Sequence, residues 1–231
     1  MKFLLTNDDG ISAPGLAALA DAIAPLGPSL VVAPEEHQSG CSHQVNHSRA
    51  LWPKEVSPGR FSIDGTPADC TRIGLLYLAP ETTWVLSGVN EGGNLGVDVY
   101  MSGTVAAVRE GTLFGRPGIA FSQYRRTRNI DWSRHPELVR YVVKRLLERP
   151  LKPGAFWNVN FPDPLPTEAE PELVFCPLDA TSHLPVAYEL RVDRYHYRGI
   201  YHDRPRIAGG DVDVCFSGRI AISQILPAAS E

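Results

Sequence analysis

The chain has 231 residues, of which 22 are Lys or Arg and 26 are Asp or Glu, so its formal net charge at pH 7 is −4. This length suits one large domain with a substantial core, and the charge gives no electrostatic reason to expect binding to nucleic acid or to a membrane. The first residues hold only a short apolar run, Phe3 to Leu5, before the chain turns acidic. That run is too short for a signal peptide or a membrane span, so a cytoplasmic protein is expected.

The first two thirds of the chain alternate short β-rich runs with amphipathic stretches. This pattern predicts a mostly parallel sheet with helices on both faces, in a doubly wound α/β fold. Strands are predicted over residues 2–6, 30–33, 84–87, 118–122 and 156–161. Helices are predicted from Pro14, from Pro67 after an N-cap at Thr66, over 102–114 and over 136–148.

The character of the chain changes after about Pro162, where a proline-spaced acidic stretch predicts a linker or surface loop. Alternating segments over 188–192 and 195–201 then predict a β-hairpin, and residues 219–225 predict a strand that returns to the core sheet. We therefore divide the chain into a catalytic core, 1–180, and an extension, 181–231. The extension carries more aromatic residues than it can bury by itself, which predicts packing against a second subunit.

The cysteines give no sign of a structural framework. There are four of them, with no CxxC pair and no companion His spacing. Neither a zinc site nor a disulfide scaffold is therefore indicated. We expect core thiols in a reducing compartment.

Two adjacent carboxylates, Asp8 and Asp9, follow the first predicted strand and precede Gly10. Ligands bind at the carboxyl ends of the strands in open α/β sheets. Neighbouring carboxylates repel each other and are tolerated where a divalent cation lies between them. The alternative interpretation is an acidic turn that breaks the strand and caps the next helix.

A second candidate feature is the Ser102-Gly103-Thr104 turn, which opens the third predicted helix. Unpaired backbone N–H groups and the positive end of the helix dipole would face an anionic ligand there. An ordinary Ser/Thr helix cap is the alternative.

Several glycine-containing motifs occur in one order along about the first 120 residues: NDDG, SG, DGTPADC, SGVN, GGN and YMSGT. In this order and context they resemble the SurE family of survival proteins. The resemblance implies a Rossmann-like, three-layer α/β/α core with a C-terminal β-hairpin extension for oligomerisation. It also implies a metal-dependent phosphatase, a 5′-nucleotidase that hydrolyses nucleoside 5′-monophosphates, with 3′-monophosphates left open as further substrates.

The resemblance assigns roles to individual residues. Asp8 and Asp9 are implied to be catalytic. The metal ligands it implies are Asp8, Asp9, Ser39 and Asn90. The phosphate contacts it implies are Asn94, Ser102, Gly103 and Thr104. An all-oxygen set of ligands suits one Mg²⁺ or Mn²⁺ ion per subunit, and a homodimer or homotetramer is expected.

Weaker matches to the family follow at residues 158–162 and at Gly210-Asp211, where the family usually has a Thr-Asp pair. The chain departs from the family pattern at His37-Gln38, where a basic residue often precedes the Ser-Gly pair. The family's final motif is also absent, and residues 218–225 stand in its place. The first departure leaves the substrate preference open.

Other candidates are weaker. His37 and His43 are the histidines best placed for catalysis. A basic run after the fourth predicted strand is interpreted as a solvated loop, with phosphate steering as the alternative; its members are Arg125, Arg126 and Arg128. Two rival functions stay open: a phosphatase in which Asp8 is a covalent nucleophile, and a nucleotide-binding regulatory protein without turnover.

Overall fold

The computed structural model of the protein describes residues 1–126, 129–181 and 186–226. Its strands are β1 (Phe3–Thr6), β2 (Ser29–Pro34), β3 (Pro53–Ser57), β4 (Arg60–Ile63), β5 (Trp84–Glu91), β6 (Gly118–Gln123), β7 (Phe156–Phe161), β8 (Leu173–Phe175), β9 (Tyr188–Arg191), β10 (Arg194–Tyr197) and β11 (Ile220–Ile225). Its α-helices are α1 (Pro14–Ile23), α2 (Pro67–Ile73), α3 (Gly103–Leu113), α4 (His135–Leu147) and α5 (Asp211–Phe216).

Nine of the strands form one sheet in the order β3-β4-β2-β1-β5-β6-β7-β11-β8. Neighbours from β4 to β7 are all parallel, whereas β3 and β11 each run antiparallel to a neighbour. Helices α1 and α4 pack together on one face, and α2 and α3 pack together on the other. The predicted doubly wound, mostly parallel α/β fold is confirmed.

The sequence of β1 explains its central place in the sheet. Phe3 and Leu5 join the core cluster that also contains residues of α1 and α4, whereas Leu4 joins the cluster that contains Cys70 of α2. Successive side chains of a strand point to opposite faces of the sheet. Because both faces of β1 are covered by helices, its side chains on both faces are mostly apolar. The predicted strand is therefore confirmed together with its burial.

Helix α2 begins as predicted. The Thr66 hydroxyl accepts a hydrogen bond from the Asp69 N–H at 3.2 Å, and the Asp69 carboxylate accepts one from the Thr66 N–H at 3.0 Å. This reciprocal capping box satisfies two backbone donors at the start of the helix. Pro67 occupies the first turn, where its missing N–H costs nothing.

The sequence analysis missed two edge elements, the β3–β4 hairpin and β8. Every residue of β3 is exposed, so no apolar alternation marks it as a strand. Its pairing rests on backbone hydrogen bonds to β4, and its proline is tolerated because one side of an edge strand faces solvent. Strand β8 has three residues, too few to show a period.

The C-terminal region contains the predicted hairpin, formed by the antiparallel pair β9 and β10. Helix α5 follows, and β11 then enters the central sheet between β7 and β8, as the predicted returning strand. The division into a core and an extension stays a prediction. In the part of the chain that the structure describes, no helix has the length and apolar character needed to cross a membrane.

Candidate active site

The candidate site lies at the carboxyl ends of β1 and β5, which are neighbours in the middle of the sheet. From β1 the chain crosses through α1 to β2 on one side, and from β5 it crosses through α3 to β6 on the other side. The two connections diverge and leave a crevice between them, the usual ligand position in this type of fold. Asp8 and Asp9 follow β1 at this point, and Asn90 and Glu91 end β5.

A buried asparagine fixes the turn that carries the two aspartates. The Asn7 carboxamide donates to the Gly10 carbonyl at 2.9 Å and accepts from the Gly10 N–H at 3.2 Å. Gly10 has a φ of +102°, which L side chains rarely adopt. The sequence analysis did not assign this role to Asn7, although Asn three residues before Gly is a turn signal.

Asp8 faces the start of α3. Its carboxylate accepts a hydrogen bond from the Thr104 hydroxyl. Gly103 packs so closely that a Cβ there would lie 2.9 Å from the Asp8 Cβ and 3.0 Å from its Oδ2. Burial, reinforced by repulsion from Asp9, raises the pKa of Asp8 to about 6 despite the Thr104 hydrogen bond.

Asp9 faces β5 and the loop that follows β2. Its Oδ2 accepts a hydrogen bond from the Glu91 N–H at 3.1 Å, and its Oδ1 lies 3.3 Å from His37 Nδ1. Burial raises the pKa of Asp9, whereas the Glu91 N–H and His37 act in the opposite direction. The two adjacent carboxylates therefore have different surroundings, as expected from the alternating directions of an extended chain.

Residues 37–44, here called the site loop, lie across these elements. The Gln38 N–H donates to the Asp8 carbonyl at 2.7 Å, and the Ser42 N–H donates to the Met101 carbonyl at 3.2 Å. Ser39 is the exposed residue after Gln38. The site loop thus places Gln38, the residue before the predicted ligand Ser39, against the backbone of Asp8.

Asn90 adds a carboxamide from β5. Its Nδ2 donates to the Gly92 carbonyl at 2.8 Å. That bond orients the amide group and leaves the carboxamide oxygen as the atom able to bind a cation.

The predicted phosphate-binding turn forms the N-terminus of α3. The Ser102 hydroxyl accepts a hydrogen bond from the Val105 N–H at 3.1 Å and serves as the N-cap. The N–H groups of the first helical turn have no partner within the helix, and the helix dipole adds a positive end. The Ser102 hydroxyl therefore acts as a cap and the Thr104 hydroxyl binds Asp8, which leaves backbone N–H groups as the donors for an anion.

Asn94 lies in a buried polar network. Its carboxamide donates to the Ser122 hydroxyl at 2.8 Å, and its N–H donates to the Asn160 carboxamide oxygen at 2.8 Å. Its carbonyl accepts from Asn158 at 2.9 Å and from Asn160 at 3.0 Å. The network ties the segment after β5 to β6 and β7. Asn158 and Asn160 were not assigned roles from sequence, although two asparagines in a buried strand are unusual.

A second buried network joins the C-terminal region to the turn before α3. Asp98 accepts hydrogen bonds from the Tyr201 hydroxyl at 2.7 Å and from Arg204 at 2.6 Å. Asp211 accepts a hydrogen bond from the Gly96 N–H at 2.7 Å. Both carboxylates make structural hydrogen bonds. Asp211, in the weak motif Gly210-Asp211, is the first residue of α5 and attaches this helix to the turn before α3.

The basic run was interpreted as a solvated loop. Arg125 pairs with Glu91, the last residue of β5, in an exposed contact of 2.5 Å. The Arg126 N–H donates to Asp163 at 2.7 Å. Arg128 lies outside the described residues.

The candidate ligands offer oxygen atoms to a cation, and their chemistry suits a divalent one. Asp8 and Asp9 are desolvated, and burial raises the pKa of both, a cost that a bound cation would relieve. Over residues 1–126, 129–181 and 186–226, no group of three or more His, Cys, Asp or Glu side chains is placed to hold a metal. Two carboxylates with neutral oxygens fit a hard ion such as Mg²⁺ or Mn²⁺ rather than zinc.

A cleft of about 270 Å³ with both charged and apolar walls lies at the carboxyl end of β6, and none of the predicted site residues, all of which the structure describes, lines it. It begins at Gln123, the last residue of β6, which is the register partner of Glu91. Its other walls include Ile130, Asp131, Arg134, His135, Asp163 and Leu165.

The fold is that of a doubly wound α/β protein, and two aspartates, Asp8 and Asp9, lie at its topological switch point as the candidate ligand site. A family model described as "Survival protein SurE" matches residues 3–182. The chain belongs to the SurE family, so the resemblance inferred from its motifs is confirmed.

Individual relatives and a solved structure agree with the family assignment. The protein alr3139 of Nostoc sp. (strain PCC 7120) is 50% identical over 226 residues, which cover 97% of this chain and 99% of that protein. The 5′-nucleotidase SurE of Myxococcus xanthus is 45% identical over 163 residues, 70% of this chain and 62% of that protein. The crystal structure of the SurE protein from Aquifex aeolicus matches with a TM-score of 0.87 at 29% identity, covering 100% of this chain and 95% of that one.

Proposed function

We propose that this chain is a metal-dependent 5′-nucleotidase that hydrolyses nucleoside 5′-monophosphates to a nucleoside and phosphate. The observation that carries the proposal is the pair of desolvated carboxylates, Asp8 and Asp9, next to the free N-terminus of α3. Relatives named 5′-nucleotidase SurE in Myxococcus xanthus and Geobacter metallireducens support the same activity.

The residues proposed to hold the cation are Asp8, Asp9, Ser39 and Asn90. One Mg²⁺ or Mn²⁺ ion, when bound there, supplies a Lewis acid and lowers the pKa of a coordinated water. The protein's own contribution is to fix the ligands. Thr104 and the packing of Gly103 hold Asp8, whereas the Glu91 N–H holds Asp9.

The phosphate is proposed to lie against the first turn of α3, where the N–H groups of Gly103 and Thr104 have no partner within the helix. Hydrolysis of a phosphate monoester needs mainly positioning and neutralisation of charge on the phosphoryl oxygens. Asn94 would contact the phosphate from the opposite side, held by the network from β6 and β7.

The cleft next to Gln123 is proposed to take part of the nucleoside. It combines apolar walls with a few charged side chains, as small-molecule sites usually do. It lies on the side of β5 away from β1, so a substrate bound at α3 would extend toward it across the strand ends.

The rival covalent mechanism requires Asp8 to attack phosphorus. Asp8 is 5% exposed, its carboxylate accepts the Thr104 hydrogen bond, and Gly103 covers it. A covalent nucleophile needs an open approach to the substrate. The packing therefore favours the ligand role.

The hairpin formed by β9 and β10 is proposed to build a homodimer or homotetramer, because its aromatic side chains are exposed in the single chain. A cytoplasmic location is also proposed, since the four cysteines have free thiols.

The direct test is phosphate release by the purified chain from AMP and from 3′-AMP, after EDTA treatment and again with Mn²⁺ or Mg²⁺ added back. We expect release from AMP that requires the metal. Nucleotide binding without release would establish the regulatory alternative. A trapped aspartyl phosphate detected by mass spectrometry would establish the covalent one.

A further inference from the structure

A buried charged group lies on α3 away from the candidate ligands. The Glu110 side chain is 2% exposed; its Oε2 lies 2.6 Å from His43 Nε2 and its Oε1 lies 2.5 Å from Arg72 Nε. A buried carboxylate is costly unless it is paired and hydrogen-bonded. Burial raises the pKa of Glu110, but the hydrogen bonds from His43 and Arg72 outweigh it and hold that pKa below its usual value.

The two partners of Glu110 come from different parts of the fold. Arg72 belongs to the last turn of α2 and supplies the compensating positive charge. His43 belongs to the site loop, which also carries Ser39. Because Arg72 already neutralises Glu110, the hydrogen bond from His43 is not needed for charge balance and instead fixes the position of the loop.

The site loop needs such an attachment. Ser42 has a φ of +52°, a left-handed conformation that a residue with a side chain keeps only when its surroundings impose it. Gly40 also has a positive φ, +71°, with nothing within 4 Å of where a Cβ would be. Other hydrogen bonds hold the loop on either side of this open stretch. The Gln38 N–H donates to the Asp8 carbonyl, the Ser42 N–H and hydroxyl donate to the Met101 and Tyr100 carbonyls, and the Gln44 carbonyl accepts from the Thr66 hydroxyl.

Helix α3 connects His43 to the candidate site. Glu110 lies seven residues after Gly103, which packs against Asp8, so the two are roughly 10 Å apart along one rigid helix at 1.5 Å per residue. The helix that presents its N-terminus to Asp8 thus also holds the loop that carries Ser39.

We propose that His43 is a positioning residue for this site: its hydrogen bond to Glu110 holds the site loop against α3 and keeps Ser39 beside Asp8 and Asp9. The proposal deepens the proposed function, because it rests on the assignment of Ser39 as a metal ligand. Residues that orient metal ligands through hydrogen bonds typically change metal affinity 10- to 100-fold when they are removed.

The test compares three variants of the full chain. His43→Ala removes the attachment but leaves Glu110 paired with Arg72. His43→Gln restores a donor at a position close to that of Nε2. His47→Ala is the matched control, since His47 is an exposed histidine four residues further along. The measurements are calorimetric titration with Mn²⁺, amide hydrogen exchange at Gln38 and Ser42, and the kcat and KM for AMP.

We expect His43→Ala to weaken Mn²⁺ binding at least tenfold, to speed amide exchange at Gln38 and Ser42, and to lower kcat more than it raises KM. His43→Gln should recover most of each loss, and His47→Ala should match the wild type. In a double-mutant cycle, adding His43→Ala to Ser39→Ala should cause little further loss of Mn²⁺ affinity, because both changes remove the same ligand.

Unchanged Mn²⁺ affinity together with unchanged exchange in His43→Ala would overturn the proposal, as would full additivity in the cycle. If His43→Ala does not fold, failure of the folded His43→Gln variant to approach wild-type affinity would overturn it too. If the wild type releases no phosphate while His43→Ala still weakens Mn²⁺ binding and loosens the loop, the positioning role stands and the nucleotidase function fails.

Discussion

After β1, the carboxylates of Asp8 and Asp9 are largely removed from water and held by neighbours in the same chain, whereas every residue of β9 and β10 is exposed. The first region buries groups that prefer water. The second exposes groups that prefer to be buried, above all Tyr188, Leu190, Tyr195 and Tyr197. Neither arrangement is what folding of a single chain favours. The first arrangement is the reason for proposing a bound cation, and the second is the reason for proposing a second subunit.

The largest expected effect comes from Asp8→Asn, which keeps the shape of the side chain and removes one negative charge. We expect Mn²⁺ affinity to fall and phosphate release from AMP to drop by roughly three orders of magnitude or more, because Lewis-acid and water-activating roles are lost together. The control is Asp21→Asn, at an exposed position of α1.

Calorimetry and phosphate release on both variants decide the role of Asp8. Normal Mn²⁺ binding with no turnover would refute the ligand role and favour the covalent mechanism. Full activity would remove Asp8 from the site.

The same substitution has a pH-dependent effect on stability. The folded protein holds a proton on Asp8 more tightly than the unfolded chain does, because the pKa rises from 3.8 to about 6. The charged carboxylate therefore destabilises the metal-free protein above that pH, by about 3 kcal/mol at about 1.4 kcal/mol per pKa unit. Below the unfolded pKa the penalty disappears.

In EDTA, Asp8→Asn should thus unfold several degrees higher than the wild type at pH 7.5, and the difference should shrink to near zero at pH 4. Thermal unfolding across this range checks the expectation. A difference that is independent of pH would show that repulsion and burial of the charge are not its cause.

An intermediate effect is expected from Thr104→Val, which removes the hydroxyl that donates to Asp8. A hydrogen bond to a charged group contributes about 1.5–3 kcal/mol, so kcat/KM should fall roughly tenfold or more. The acid limb of the pH profile should move upward, since that hydrogen bond lowers the pKa of Asp8.

Thr112→Val is the matched control, because the Thr112 hydroxyl bonds to the Val108 carbonyl within α3, away from the site. Unchanged kinetics in Thr104→Val would show that the hydrogen bond from the Thr104 hydroxyl to Asp8 contributes nothing to catalysis.

The elements that local sequence determines were predicted from the sequence. Strand β1 was marked by an apolar run, and α2 by its N-cap Thr66 and by Pro67. Asp8 and Asp9 were identified because both lie beside a predicted strand end. In each case the decisive residues are neighbours along the chain.

The missed features depend on contacts between residues that are far apart in sequence. Glu110 meets His43 across 67 positions, and Arg204 meets Asp98 across 106. Glu110, Asp98 and Arg204 look like ordinary surface charges in their own segments, and His43 was singled out only as a candidate for catalysis. These residues become buried and paired only when the helices pack together. Periodicity and motifs therefore do not predict their contacts.

The smallest effect on catalysis is expected from changes in the β9–β10 hairpin, which lies outside the candidate site. Light scattering at micromolar concentration should show a dimer or tetramer of the wild type, because association removes exposed aromatic surface from water. Leu190 and Tyr195 are direct partners across the two strands, so replacing both with Ser should shift the protein toward monomer with little change in kcat.

Tyr77→Ser, at a residue outside the hairpin that is 77% exposed, is the control. A monomeric wild type would contradict the assembly, and a chain lacking residues 186–200 that still associated would move the interface to another surface.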